Sequence, residues 1–303
     1  MRVYTHPACL AHQPGPGHPE SPARLAAVLE ALRAAFPDLD WREAPAARRE
    51  QLARAHSPAL LARVLDARPE AWPHRLDEDT LMSADSAEAA LRAAGAVVAA
   101  VDAVLGGEVG QAFCAVRPPG HHATRDTPMG FCLLNGVAVG AVHALEAHGL
   151  ARVAVVDFDV HHGNGTEDIA LREPRLQYVS SHQAPLYPGT GLEDQGARVL
   201  NAPLPPRCPG LAFREAWRER LLPAIDRFAP QLILVSAGFD GHRLDPLADL
   251  ELGPEDYRWL SAELAALARR HCGGRLVSVL EGGYSLTALR ECSVAHLRGL
   301  QAA

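Results

Sequence analysis

Four ionisable side chains, Asp157, Asp159, His161 and His162, fall within six residues directly after the apolar run Val153-Ala154-Val155-Val156. In an extended strand alternate side chains share a face, so Asp157, Asp159 and His161 are expected to point one way. Two carboxylates and an imidazole converging at a strand end suit a divalent first-row metal. A solvated polar turn is the plainer alternative, but a neutral turn seldom needs so many ionisable groups. Asp240, in Gly238-Phe239-Asp240, is a candidate third ligand from a different strand, against the alternative of a turn-forming Asp. Three protein ligands leave coordination open for water and a substrate oxygen, as catalytic zinc sites do; the ligand types leave Fe(II) open as well.

Two further groups could act beside such a metal. The adjacent pair His121-His122 follows the rigid turn Arg117-Pro118-Pro119-Gly120. Adjacent histidines are often surface residues, yet water activated near neutral pH needs a base that an imidazole supplies. Tyr284 follows Gly282-Gly283, where backbone and phenol can come close to a bound molecule. A phenol there can donate a hydrogen bond to a polarised carbonyl and its oxyanion, although Gly-Gly-Tyr alone is an ordinary turn.

The elements that position these groups alternate. Short apolar strands are expected at the N-terminus and at 113–116, 153–156, 176–180, 232–236 and 276–280. Helices are expected from Ser21-Pro22 to about Ala35, in two short pieces over 48–67 broken at His56-Ser57-Pro58, and over 86–105, 135–148, 211–228 and 254–270. Strands alternating with helices imply a mainly parallel sheet covered on both faces, in one domain over residues 1–303. In such sheets ligands bind beyond the carboxyl ends of the strands, which is where the polar groups cluster.

Composition excludes several classes of function. The formal charge of −7 leaves no footprint for nucleic acid or an anionic membrane, and all 29 basic residues are arginine. No apolar stretch is long enough for a membrane span, and the N-terminus lacks a signal-peptide core. The six cysteines form no CxxC pair and read as reduced thiols, so a cytoplasmic protein is expected.

The ordered motifs Gly15-Pro16-Gly17-His18-Pro19-Glu20, Arg117-Pro118-Pro119-Gly120-His121-His122, Gly130-Phe131-Cys132, Asp157 to Thr166, Ser236-Ala237-Gly238-Phe239-Asp240 and Glu281-Gly282-Gly283-Tyr284 together resemble the histone deacetylase family. Asn164, where class I members typically carry Asp, points to the class II-like branch with its bacterial amidohydrolases. The resemblance implies an α/β arginase/deacetylase-like three-layer fold and zinc-dependent amide hydrolysis. Asp159, His161 and Asp240 would hold the zinc. His122 would be the general base, His121 its electrostatic partner oriented by Asp157, and Tyr284 the carbonyl-binding phenol. Gly130, Phe131 and Tyr187 would wall an acyl-lysine tunnel, with Leu247 at its mouth. A structural potassium or sodium ion would take Asp157, Ser180 and Ser181 with the backbone of Asp159 and His161. A second would use backbone oxygens near Ala170, Glu173 and Leu176.

The implied substrate is an acetylated lysine or a related acylated amine. Acetylpolyamine hydrolysis shares every catalytic residue. Leu247 weakens it, although Asp245, Asp249 or the loop from Cys9 to Pro22 could supply charge at the mouth. An arginase-like paired-metal site would need more carboxylates. A binding module without turnover is the non-enzymatic alternative, and it would need neither His122 nor Tyr284.

Overall fold

The computed structural model describes residues 1–302. Its strands are β1 (Arg2–Thr5), β2 (Asp40–Glu43), β3 (His74–Arg75), β4 (Leu81–Met82), β5 (Gln111–Cys114), β6 (Val153–Asp157), β7 (Leu176–Gln183), β8 (Val199–Leu204), β9 (Leu232–Ala237) and β10 (Leu276–Leu280). β3 and β4 form a small antiparallel hairpin. The other eight make one sheet in the order β2-β1-β5-β10-β9-β6-β7-β8, and every neighbouring pair runs parallel. β6, β7, β9 and β10 are buried along their whole length, as strands covered on both faces must be.

Register shows the two covering layers. Ser278 of β10 lies beside Val235 of β9, and its hydroxyl is 2.8 Å from His296 Nε2 in helix Leu286–Gln301. The preceding residue, Leu234, points to the opposite face, where it reaches Gly140 of helix Gly136–Ala147. Helices Pro22–Ala35, Pro254–Cys272 and Leu286–Gln301 pack into one layer, and Ser86–Leu105 packs with Gly136–Ala147 in the other. The three-layer α/β expectation therefore holds. Among the described residues no helix is long and apolar enough to cross a membrane. All six cysteines are buried as free thiols.

Several elements differ from the sequence expectation. The single helix expected over 211–228 is two α-helical pieces, Gly210–Ala216 and Leu222–Phe228, joined by a π-helical turn at Trp217–Leu221. Pro223 lacks the N–H that would bond back to Glu219, so regular α-geometry is lost there. β8 carries Asn201 and Pro203 and so lacked a strand signature. It is an edge strand, where proline is tolerated. Helices Asn164–Arg172 and Leu286–Gln301 also had no place in the sequence expectation.

A buried charge cluster ties the loops that matter for the site. Arg117, at the turn before the histidine pair, grips the Glu20 carboxylate through Nε and through Nη2 at 2.6 Å. Arg24 Nη1 donates to the same carboxylate at 2.9 Å. Its other nitrogens donate to the carbonyls of Gly283 and Glu281, each at 2.5 Å, and its guanidinium lies 4.8 Å from the Tyr284 ring centre. Exposure of these three side chains is at most 1%. Burial pushes the Glu20 carboxyl up, but Arg117 and His12 outweigh it and hold it well below the usual carboxylate range. Glu20→Gln leaves two buried guanidiniums facing a neutral amide. It is expected to cost roughly 3–5 kcal/mol, a fall on the order of 10 °C in melting temperature by circular dichroism. An unchanged melting temperature contradicts the clamp.

Candidate metal centre

β6 and β9 are adjacent, with Asp157 in register with Ser236, so the chain leaving each strand delivers its acids to one place. Ligand atoms of Asp159, His161 and Asp240 all lie within 4.8 Å of one another. His161 Nδ1 is 3.2 Å from Asp159 Oδ1 and 3.2 Å from Asp240 Oδ2. Main-chain donors aim the carboxylates: Gly282 N–H donates to Asp159 Oδ2 at 2.8 Å, and Val160 N–H to Asp240 Oδ1 at 2.9 Å. Asp240 Oδ2 is buried and lacks a hydrogen-bond partner in spite of the nearby imidazole. A buried carboxylate oxygen left in that state is costly unless a cation completes it. The donor set of two carboxylates and one imidazole fits zinc or Fe(II).

Electrostatics agree with the donor geometry. Burial lowers the His161 imidazole, but the carboxylates of Asp159 and Asp240 beside Nδ1 outweigh it and push it up to about 10. A field that favours a proton at Nδ1 also favours a metal ion in the proton's place. Gly282 is required by closeness. A Cβ there would come 2.0 Å from Asp240 Oδ2 and 2.6 Å from Asp159 Oδ2.

The histidine pair stacks beside the cluster, with ring centres 4.0 Å apart, and its members have different partners. His121 Nδ1 is 3.0 Å from Asp157 Oδ2, which also accepts from the Tyr178 hydroxyl at 3.1 Å. Burial lowers His121, but Asp159 and Asp157 overcome it and push it up to about 10. His122 Nδ1 instead faces the amide oxygen of Asn164 at 2.8 Å. The Asn164 amide nitrogen donates to Met129 Sδ at 3.3 Å, which fixes the orientation of the amide. An oxygen acceptor at Nδ1 places the proton there and leaves a lone pair on Nε2. Burial, then the neighbouring His121 and His161, hold His122 well below the usual imidazole range, so it is neutral.

His122, His161 and Tyr284 line a cavity of about 220 Å³. Gly130, Phe131, Tyr187 and Leu247 all line it too, together with Leu186 and Asp79. Tyr187 meets His122 edge to face at 5.2 Å, and Phe131 meets Tyr284 at 5.8 Å. Gly130 has φ +56°, and a Cβ there would lie 2.6 Å from His122 Cδ2. The sequence left Asp245, Asp249 or the Cys9–Pro22 loop as sources of charge at the mouth; the carboxylate that lines the cavity is Asp79, while His18 of that loop packs on Phe131. Asp245 instead accepts from the main-chain N–H groups of Tyr284 (2.7 Å) and Leu247 (3.0 Å), holding that loop. Burial, then Asp77, raise the half-buried Asp79 carboxyl. Its only sequence signal was the acidic run Asp77-Glu78-Asp79. Glu281 also lacked a role in the sequence reading. Its carboxylate accepts from the N–H groups of Gly120 at 2.6 Å and His121 at 3.2 Å, steadying the histidine turn.

Ser180 is in register with Asp157, and its hydroxyl is 2.9 Å from His182 Nδ1. The other His182 nitrogen faces the Gly191 carbonyl at 3.0 Å, and burial pushes the ring down to about 3. Ser180 therefore donates to a neutral imidazole, and its oxygen lone pairs remain for a cation. The Ser181 hydroxyl accepts from Trp217 Nε1 at 3.0 Å, so this side chain is already engaged. The carbonyls of Ala170, Glu173 and Leu176, expected to hold a second ion, surround Arg198 Nη1 instead. Another gathering, Asp102, His143 and His148, lies on the second helical layer. There Arg54 donates to His143 Nδ1 at 2.8 Å, so His143 Nε2 carries the proton and gives it to Asp102 at 2.7 Å, without a lone pair for a metal.

Comparison with known proteins agrees with this geometry. The histone deacetylase domain model matches residues 18–300. A histone deacetylase-like amidohydrolase of Pseudomonas aeruginosa is 41% identical over 294 residues, covering 94% of this chain and 77% of that protein. A probable deacetylase of Archaeoglobus fulgidus is 36% identical and covers 94% of this chain and 81% of its own. The crystal structure of the HDA15 HD domain superposes with a TM-score of 0.91 at 32% identity, covering 99% of this chain and 87% of that one. With a sheet, a cluster and a histidine pair that all agree, the chain belongs to the histone deacetylase family.

Proposed function

We propose that this protein is a zinc-dependent amidohydrolase that removes acetyl groups from lysine-like amines, with Asp159, His161 and Asp240 as the zinc ligands. The observation that carries this reading is the lone pair on His122 Nε2. Asn164, engaging Nδ1, frees it, and His122 lines the same cavity as His161 and Tyr284. Asp159, His161 and Asp240 would hold a divalent ion, which would supply Lewis acidity toward an amide carbonyl and a water.

The remaining chemistry belongs to side chains. His122 Nε2 takes the proton of the attacking water and later gives it to the departing amine, so an amide and water yield a carboxylate and an amine. The Tyr284 hydroxyl donates to the carbonyl oxygen as negative charge grows on it. Arg24, over the ring, and Asp245, on the main-chain N–H, hold that phenol in place. His121, paired with Asp157, contributes fixed positive charge next to the base and keeps the proton from resting on His122 between turnovers. Phe131, Gly130 and Tyr187 form aromatic and backbone walls suited to an aliphatic chain. A binding module would have no use for an oriented base.

A structural potassium or sodium ion would sit beside Ser180, whose hydroxyl donates to His182, with Asp157 and the backbone around Asp159, His161 and Ser181. The acyl-lysine reading is favoured by the apolar Leu247 in the cavity lining. Asp79 supports the second reading, an acetylpolyamine substrate, because a half-buried carboxylate in that lining suits a distal ammonium.

The kinetics separate these readings. On an acetyl-lysine peptide and on acetylated polyamines, kcat/KM is expected to favour the peptide. A clear preference for polyamines reverses the ranking and assigns Asp79 to a distal cation. Tyr284→Phe is expected to keep substrate affinity and lose roughly 100-fold in kcat, the size of effect seen when an oxyanion donor is removed. An unchanged kcat removes Tyr284 from the reaction.

A further inference from the structure

Arg198 Nη1 lies at hydrogen-bonding distance from three main-chain carbonyl oxygens, those of Leu176 (2.5 Å), Glu173 (3.2 Å) and Ala170 (3.4 Å). Two of them close helix Asn164–Arg172, where the helix dipole is negative; each also accepts one main-chain N–H, Ala170 from Glu173 at 3.2 Å and Glu173 from Leu176 at 3.0 Å, and keeps a second lone pair for a cation. The third opens β7. A guanidinium nitrogen of this kind carries two hydrogens, so the three converging oxygens are one more acceptor than it can satisfy with separate bonds. Convergent main-chain oxygens of this sort replace the hydration shell of a potassium ion elsewhere in proteins. No carboxylate accounts for the placement. The nearby Glu173 side chain pairs with Arg175 at 2.9 and 2.7 Å, and Arg198 forms no ion pair among the described residues.

We infer that Arg198 is a built-in counter-ion: its guanidinium fills a cation site made by the Ala170, Glu173 and Leu176 carbonyls and frees it from dependence on dissolved potassium or sodium. The family resemblance implies an exchangeable ion at these carbonyls, and the residues present do not fit one. A tethered cation costs no association entropy and does not follow the ion concentration. What it steadies is close to the chemistry. The helix that ends at these carbonyls starts with Asn164, the partner of His122, and its Thr166 N–H donates to the His121 carbonyl at 3.1 Å. Arg198 itself ends the loop that carries Tyr187, and its own carbonyl accepts from Tyr178 N–H at 3.0 Å. One side chain thereby joins the helix, β7 and the cavity-wall loop. This inference does not depend on the substrate or on zinc.

Rubidium, which scatters anomalously and substitutes for potassium, is the probe. Crystals of the wild type and of Arg198→Met grown in rubidium chloride are expected to differ at these carbonyls, with no peak in the wild type and a peak in the variant. In solution, replacing choline chloride by potassium chloride at equal ionic strength is expected to raise the melting temperature of Arg198→Met by about 3 °C more than that of the wild type. Rubidium at the carbonyls of the wild type overturns the inference. So does a variant that binds none there and gains no additional potassium response. Arg198→Ala serves in the same two measurements if Arg198→Met does not fold, and the wild-type crystal tests the first point without any variant.

Discussion

Four carboxylates, Asp157, Asp159, Asp240 and Glu281, sit at neighbouring strand ends with at most 1% of their surface exposed. Taking that much negative charge out of water is costly unless each group is matched by donors or cations. Asp157 is matched by His121, by Tyr178 and by the Asp159 N–H. Glu281 is matched by the Gly120 and His121 N–H groups and by Ser236, while burial pushes its carboxyl up to about 7. Asp159 and Asp240 are matched only in part, since Asp240 Oδ2 accepts no hydrogen bond. A divalent cation is the group that would complete them.

The division of labour between the two histidines follows from the same constraint. His121 reaches Asp157 and is held positive by the acids around it. His122 reaches a neutral amide, and burial next to two imidazoles keeps it uncharged. One ring is thus set among acids and the other beside a neutral amide, the difference on which the proposed charge and base roles rest. Arginine supplies much of the remaining compensation. Arg24 and Arg117 pin the Tyr284 and histidine turns to Glu20, and Arg198 caps the helix that presents Asn164.

Much of this was legible in the sequence because it rests on short-range periodicity. Alternation along Asp157, Asp159 and His161, the apolar runs of the central strands and the helix over 86–105 were read directly, and the parallel three-layer fold followed. What escaped depends on contacts distant in sequence. Asp79 enters the cavity from a hairpin whose two-residue strands have no pattern to detect. Arg24 and Glu281 meet across 257 residues, which no local motif announces. Arg198 belongs to no motif in the sequence, and only the return of the chain to β8 brings it over the helix end. The edge strand β8 was hidden by Asn201 and Pro203, and the helix over 210–228 was interrupted by a proline whose effect is a π turn rather than a break.

The proposed chemistry depends on the candidate metal centre, and equilibrium dialysis of metal-stripped protein against zinc measures it without any substrate. One equivalent of zinc per chain in the wild type, with loss of that equivalent in a folded Asp240→Ala variant, is the predicted result. A wild type that binds no zinc, or an Asp240→Ala protein that retains its full equivalent, contradicts the assignment of Asp159, His161 and Asp240 as the metal centre.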